Sequence, residues 1–124
     1  MSEIHHINSS TLELSVIKDI IDTQKQIALS KEAIDKITNS FEFLSNKIKN
    51  NDTPIYGINT GFGSLCNVTI SSENLSKLQE NLVTSHACGT GEYVPKAIVK
   101  IMLLLKIQSL SYGYSGVQLQ TVER

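Results

Sequence analysis

Cysteine is scarce in this 124-residue chain, and the two present, Cys66 and Cys88, stand far apart with no Cys-x-x-Cys spacing. That excludes a zinc or dithiol motif of the usual kind. Isolated cysteines read as free thiols of a reducing compartment. Long apolar runs are missing too. The longest, Ile101 to Leu105, is far too short to span a bilayer. Met1 to Ser10 is polar, without the basic and then apolar regions of a secretion signal. Neither sign of charge dominates: 11 basic against 12 acidic residues give a net charge of −1, with the lysines scattered. No field exists to gather nucleic acid or an anionic membrane. No internal repeat and no low-complexity linker interrupts the chain. These absences leave a cytoplasmic protein, and 40% hydrophobic against 19% charged residues is the balance of a folded domain.

What is present reads as mainly α. Leu12, Leu14, Ile17, Ile20 and Ile21 recur at near-helical spacing over about 12–22, with Thr11 placed to cap them. Gln26 to Leu29 is a brief extended segment. Ser30 then caps a helix over about 31–49, with Glu32 in its first turn and Ile34, Ile37, Phe41, Leu44 and Ile48 on one face. Asn50-Asn51-Asp52-Thr53-Pro54 stops it. After a glycine-rich loop at about 54–67, a helix over about 72–87 starts at Ser71 or Ser72. It carries Leu75, Leu78, Leu82 and Val83, and Gly89 provides its left-handed end. A fourth helix, about 95–112, opens at Pro95 and closes at Gly113. Residues 117–124 open a further one. The fourth helix is apolar on nearly every face, the mark of a helix buried in a larger bundle or an oligomer core. The chain therefore reads as the N-terminal piece of something larger. A small obligate oligomer, complete in itself, is the other reading.

Chemistry concentrates in two places. The first is Tyr56-Gly57-Ile58-Asn59-Thr60-Gly61-Phe62-Gly63, where three glycines bend the backbone between a phenol, an amide and a hydroxyl. Such a loop can close over a small substrate, or it is simply a turn on which Tyr56 packs against a neighbour. The second is Ser85-His86 followed by Ala87-Cys88-Gly89-Thr90-Gly91. His86 is the one interior histidine, since His5 and His6 fall on a frayed terminus. The small residues around it leave room for a ligand; a purely structural imidazole is the plainer reading. No metal-ligand spacing, no Gly-x-Ser-x-Gly and no P-loop ending is present, so a metal site, a serine hydrolase and a phosphate cradle are not indicated. Tyr56 is the proton-transfer group, but a phenol with a pKa of about 10 is a poor base unaided, and no electrophile accompanies it.

Residues 56–63 resemble the lid-loop signature of the aromatic amino-acid ammonia-lyases. Three more segments agree in order and spacing: Leu78-Gln79-Glu80-Asn81-Leu82-Val83, then Ser85 to Gly91, then Lys106-Ile107-Gln108-Ser109-Leu110 leading to Gly113-Tyr114-Ser115-Gly116-Val117. The resemblance covers most of Thr53 to Arg124. It implies the N-terminal part of a helical fold with short extended segments, and a homotetramer with a central helical bundle. It also implies non-oxidative loss of ammonia from an L-amino acid, giving a trans-2-enoic acid. By position, Tyr56 becomes the base on the lid loop made by Gly57, Asn59, Thr60, Gly61 and Phe62. Gly63 lines the pocket near the substrate carboxylate, and Ser85 and His86 form the wall facing the side chain. Ser85-His86 favours L-histidine, giving trans-urocanate. Tyrosine or phenylalanine lyases and aminomutases of the same family remain the alternative. A non-catalytic helical assembly module is the alternative of another class. The electrophile of the family, a methylidene-imidazolone, forms from an internal Ala-Ser-Gly. That triad is absent, since the one Ser-Gly pair, Ser115-Gly116, follows Tyr114. The resemblance thus implies a chain that is inactive by itself.

Overall fold

A computed structural model describes residues 3–50 and 53–124. It is mostly helical and divides into two compact units, Met1–Asn50 with Tyr93–Arg124, and Asn51–Glu92. The turn residues Asn51 and Asp52, and the side chain of Ser72, lie outside the described residues.

The first unit starts with a strand where a frayed end was expected. Strand β1, Ile4–Ile7, pairs in parallel with β2, Gln26–Leu29, so that Ile4 faces Gln26 and Ile7 faces Leu29. Parallel neighbours need a crossover, and α1, Leu14–Thr23, supplies it. His5 and His6 are therefore ladder residues, and Ile7 is fully buried. Four residues are too few for periodicity to reveal, and the partner strand lies beyond a helix. Helix α1 begins later than its apolar spacing suggests: Glu13 is the N-cap with no side-chain bond, so Thr11 does not cap it. Leu14 points outward while Ile20 is buried and Val16 and Ile17 pack beside it. Lys25, just beyond, lies 2.8 Å from Asp19 and 2.9 Å from Glu3. Hydrogen bonds to Asp19 and then Glu3 hold its ammonium above the usual lysine range. On the lysine's side this link is complete at neutral pH and fades only as pH rises past that raised value.

Helix α2, Lys31–Asn50, is capped as its sequence suggests: the Ala33 N–H donates to Ser30 Oγ at 3.2 Å. Ala33 and Ile37 are buried, and Ile34, Phe41, Leu44 and Ile48 are half-buried along the same face. Helix α4, Lys96–Ser111, uses Pro95 as its N-cap rather than as its first residue; the Pro95 carbonyl accepts from Ile98 and Val99. Its buried line is Leu104, Gln108 and Ser111, spaced by three and four. Leu104 completes a core with Ile7 and Ile20, flanked by Leu12, Val16, Ile17, Leu29 and Ile107. The remaining faces of α4 leave Ile98, Val99, Met102, Leu103 and Leu105 exposed.

Two polar residues of α4 close the unit. Gln108 Nε2 donates to the carbonyls of Asn8 and Ser10, at 2.8 and 2.9 Å. Ser111 Oγ lies 3.1 Å from the same Asn8 carbonyl, and Ser9 Oγ donates to the Ser111 carbonyl at 3.1 Å. Both α4 residues are buried, so these bonds replace water rather than compete with it. Beyond α4 the chain turns at Gly113, whose φ is 75°, and crosses α2 before α5, Leu119–Glu123. A β-carbon on Gly113 would lie 2.8 Å from the Lys36 carbonyl oxygen. The Gly116 N–H donates to Ser40 Oγ at 3.1 Å.

In the second unit a 3₁₀ turn at Ser72–Asn74 precedes α3, Leu75–His86, so the helix itself starts later than residue 72. The Ser71 side chain accepts from Asn74 Nδ2 at 3.0 Å, and Asn74 is the N-cap without a side-chain cap bond. Leu75, Leu78 and Leu82 are half-buried and Val83 is exposed. Gly89 does not end α3 in a left-handed turn. The helix closes at Ala87, and the positive φ of this stretch, 85°, falls on Gly91. No helix among the described residues is long and apolar enough to cross a membrane.

Replacing Gly113 by Ala combines a left-handed φ with a backbone clash, and is expected to destabilise by about 1–3 kcal/mol. Urea unfolding checks this as a lower midpoint with an unchanged slope. Gln108→Leu keeps the volume but strands two carbonyls, and is expected to lower stability by about 1–3 kcal/mol in the same measurement. An unchanged midpoint would show that the two bonds hold nothing together.

Candidate functional site

The glycine loop is fastened from inside by the side chain that separates its glycines. Asn59 is 6% exposed. Its Oδ1 accepts the Ile55 N–H at 2.6 Å and its Nδ2 donates to the Thr53 carbonyl at 3.2 Å. The Asn59 amide bonds back to Ile55, which closes the turn of residues 56–59. An antiparallel bridge between Thr60 and Thr69 ties down the next stretch, with Gly61 N–H to Val68 O at 3.0 Å and Ile70 N–H to Asn59 O at 2.8 Å. Thr60 is fully buried, its hydroxyl turned to the Gly61 carbonyl at 3.0 Å. Gly61 is required by close approach: a β-carbon there would sit 2.6 Å from Leu65 Cβ.

On this fastened frame Tyr56 stands out, 64% exposed. Its ring meets Phe62 edge-on, with centroids 6.1 Å apart and planes at 73°. Such a contact orients an aromatic ring without enclosing it. Gly57 and Gly63 flank it with φ of 76° and 57°. A 3₁₀ turn at Gly63–Leu65 swings the chain back, and Pro54, Tyr56, Gly63, Cys66 and Asn67 line one shallow concavity of about 510 Å³. Tyr56 and Gly63, singled out from the sequence, thus share a surface. Cys66 and Asn67 were not singled out; the signal was the loop's length, which carries it past Gly63 and back on itself.

Ser85 and His86 are not among the residues lining that concavity. They end α3 as an exposed pair. His86 Nδ1 lies 2.8 Å from the Leu82 carbonyl oxygen and 3.0 Å from Ser85 Oγ. Ser85 Oγ also donates to the Leu82 carbonyl at 2.9 Å. An apolar groove of about 520 Å³ lies in the first unit between α1, β2 and α4, and is lined by none of the candidate site residues.

Among the described residues no group of three His, Cys, Asp or Glu side chains could hold a metal ion. The residues present do not fit a methylidene-imidazolone either. Ser115-Gly116 lacks the preceding alanine and belongs to the strap over α2, where Gly116 presses on Leu44.

Comparison with known proteins identifies what this frame belongs to. The model of the aromatic amino acid lyase family matches residues 12–124. The histidine ammonia-lyase of Legionella pneumophila (strain Paris) is 47% identical over 122 residues, which is 98% of this chain and 24% of that protein. Among solved structures, histidine ammonia-lyase from Trypanosoma cruzi superposes with a TM-score of 0.80 at 30% identity, over 98% of this chain and 23% of that one. Ergothionase from Treponema denticola superposes with a TM-score of 0.89 over 98% of this chain and 24% of that one, at 21% identity, a likeness of fold alone. The chain spans about a quarter of the length of the curated relatives it matches.

If Asn59 fastens the loop, Asn59→Ala removes its side-chain bonds to the Ile55 N–H and the Thr53 carbonyl, at about 1–3 kcal/mol. Cleavage by chymotrypsin within residues 54–67 is then expected to run at least about fivefold faster, tracking the opened population. Equal cleavage rates would show that the Thr60–Thr69 bridge alone fastens the loop.

Proposed function

Because the chain belongs to the aromatic amino acid lyase family, we propose that it is the N-terminal part of a histidine ammonia-lyase, which eliminates ammonia from L-histidine to give trans-urocanate. In that reaction the β C–H and α C–N bonds break, a trans double bond forms, and the amine leaves as ammonia. The Tyr56 phenolic oxygen takes the β-proton. The observation that carries the reading is the placement of Tyr56: an exposed phenol, in edge contact with Phe62, on a loop locked beneath it by Asn59. A fixed frame with an accessible proton acceptor is what a lid base needs. Gly63 lies beside it in the same concavity, where the absence of a side chain admits the substrate carboxylate. Gly57, Asn59, Thr60, Gly61 and Phe62 shape the lid.

His86 is the polar wall toward the substrate side chain, with Ser85 beside it. A buried polar group left unpaired costs roughly 1–3 kcal/mol, so such a wall favours imidazole over an unsubstituted phenyl ring. The 47% identity to a histidine ammonia-lyase supports the same choice. The methylidene-imidazolone that supplies the electrophile in this family is not formable from these residues, so the chain alone is inactive. The full-length enzyme is a cytoplasmic homotetramer. The exposed Ile98, Val99, Met102, Leu103 and Leu105 of α4 support burial in a larger assembly, and the free thiols of Cys66 and Cys88 suit a reducing compartment.

Ultraviolet absorbance of the full-length gene product with L-histidine, L-tyrosine and L-phenylalanine in turn tests the substrate. The expected result is a rise with L-histidine. A rise with tyrosine or phenylalanine instead keeps the elimination and overturns the substrate, and silence with all three overturns the lyase reading. Tyr56→Phe is expected to lower turnover by roughly 100-fold or more with the assembly intact. Retained turnover removes Tyr56 from the base role.

A further inference from the structure

The contacts at the end of α3 decide something the residue types alone leave open, namely which nitrogen of His86 carries the proton. A carbonyl oxygen only accepts, so an imidazole nitrogen 2.8 Å from it must be the N–H. The opposite tautomer would set the Nδ1 lone pair against the Leu82 oxygen at that distance, which is repulsive. Ser85 adds to the same bias. Its hydroxyl proton goes to Leu82 O at 2.9 Å, which leaves its lone pairs facing Nδ1 at 3.0 Å. The Nδ1 proton therefore has two acceptors, and both are held by the helix. Which nitrogen is protonated is set by the bond the other one makes. Here the bound nitrogen is Nδ1, and Nε2 carries the lone pair.

We infer that Ser85 does not touch the ligand but acts as a positioning residue, fixing His86 in its Nδ1–H form so that Nε2 meets the ligand as a hydrogen-bond acceptor. This rests on the proposal above that His86 faces the substrate side chain, and it narrows the chemistry recognised there. The ligand must present a ring N–H or O–H donor. An imidazole in its N–H form qualifies and a phenol qualifies, while a bare phenyl ring leaves Nε2 unpaired. The assignment also separates two neighbours: His86 makes the contact, and Ser85 decides what kind of contact it is.

The test is ¹⁵N solid-state spectroscopy of histidine-labelled full-length protein at alkaline pH, where free imidazole is neutral, with His86 identified by subtraction of the His86→Gln spectrum. The expected spectrum has a protonated Nδ1 and an unprotonated Nε2 that shifts when imidazole is added as a probe. Ser85→Ala is expected to make the second tautomer visible and to raise KM for L-histidine roughly three- to tenfold with kcat little changed. Ser85→Thr, which keeps the hydroxyl within reach of the preceding turn's carbonyls, is expected to restore both. A protonated Nε2 in the unsubstituted protein overturns the assignment. A Ser85→Ala protein identical to the parent in spectrum and KM removes Ser85 from the positioning role. Failure of the lyase reading is distinguishable, because it shows as absence of turnover with any amino acid while the tautomer is still read.

Discussion

The first unit depends on one constraint: residues near 8 must be held against residues near 108 across the whole length of intervening chain. The apolar contact of Ile7 and Ile20 with Leu104 draws the two ends together, but it is non-directional and would tolerate sliding. Gln108 and Ser111 remove that freedom. Their bonds to the Asn8 and Ser10 carbonyls fix where β1 ends along α4, and with it the register of the strand against β2. Closing so long a loop is unfavourable, though it grows only slowly with length. A small buried polar cluster inside an apolar helix is thus a locating device more than a source of cohesion.

The same economy of fastening appears in the glycine loop. There the frame is held by backbone bridges and by Asn59, so the exposed Tyr56 ring stands on a hydrogen-bonded support. The proposed role of Tyr56 as a base would use that division, since a base must be both accessible and correctly aimed. At the end of α3 a comparable arrangement holds an imidazole by one face and leaves the other free.

Much of this was legible in the residues, and what was not has definite causes. The face of α2 followed from spacing, because a helix long enough to repeat its pattern several times declares its buried side; α4, apolar nearly all round, declared none, and its buried line of Leu104, Gln108 and Ser111 shows only in the structure. The octapeptide from Tyr56 to Gly63 was legible as a bent glycine loop, but that Gly61 answers to close packing against Leu65 shows only in three dimensions. Strand β1 was not, since Ile4 to Ile7 is too short for alternation to register and its partner is separated from it by α1. The end of α3 was placed to within a residue, but the left-handed position after it was assigned to Gly89 because Gly89 and Gly91 are indistinguishable as residue types; only backbone geometry shows that Gly91 takes positive φ. Cys66 gained its place beside Tyr56 from a 3₁₀ turn that no periodicity announces.

The arrangement of the two units along the chain sets an order of events during synthesis. The first unit is split in sequence, with Leu104, Gln108 and Ser111 needed to complete what Ile7 and Ile20 begin. The second unit is contiguous and is entirely made before those residues exist. At roughly 5–20 residues per second, the nascent β1 and α1 wait about 5–20 seconds for their partner helix. Throughout that interval Ile7, Ile20 and Leu29 lack the apolar cover that Leu104 gives them. The second unit is thus positioned to fold before the first, whose β1 and α1 complete their packing only once α4 has been made.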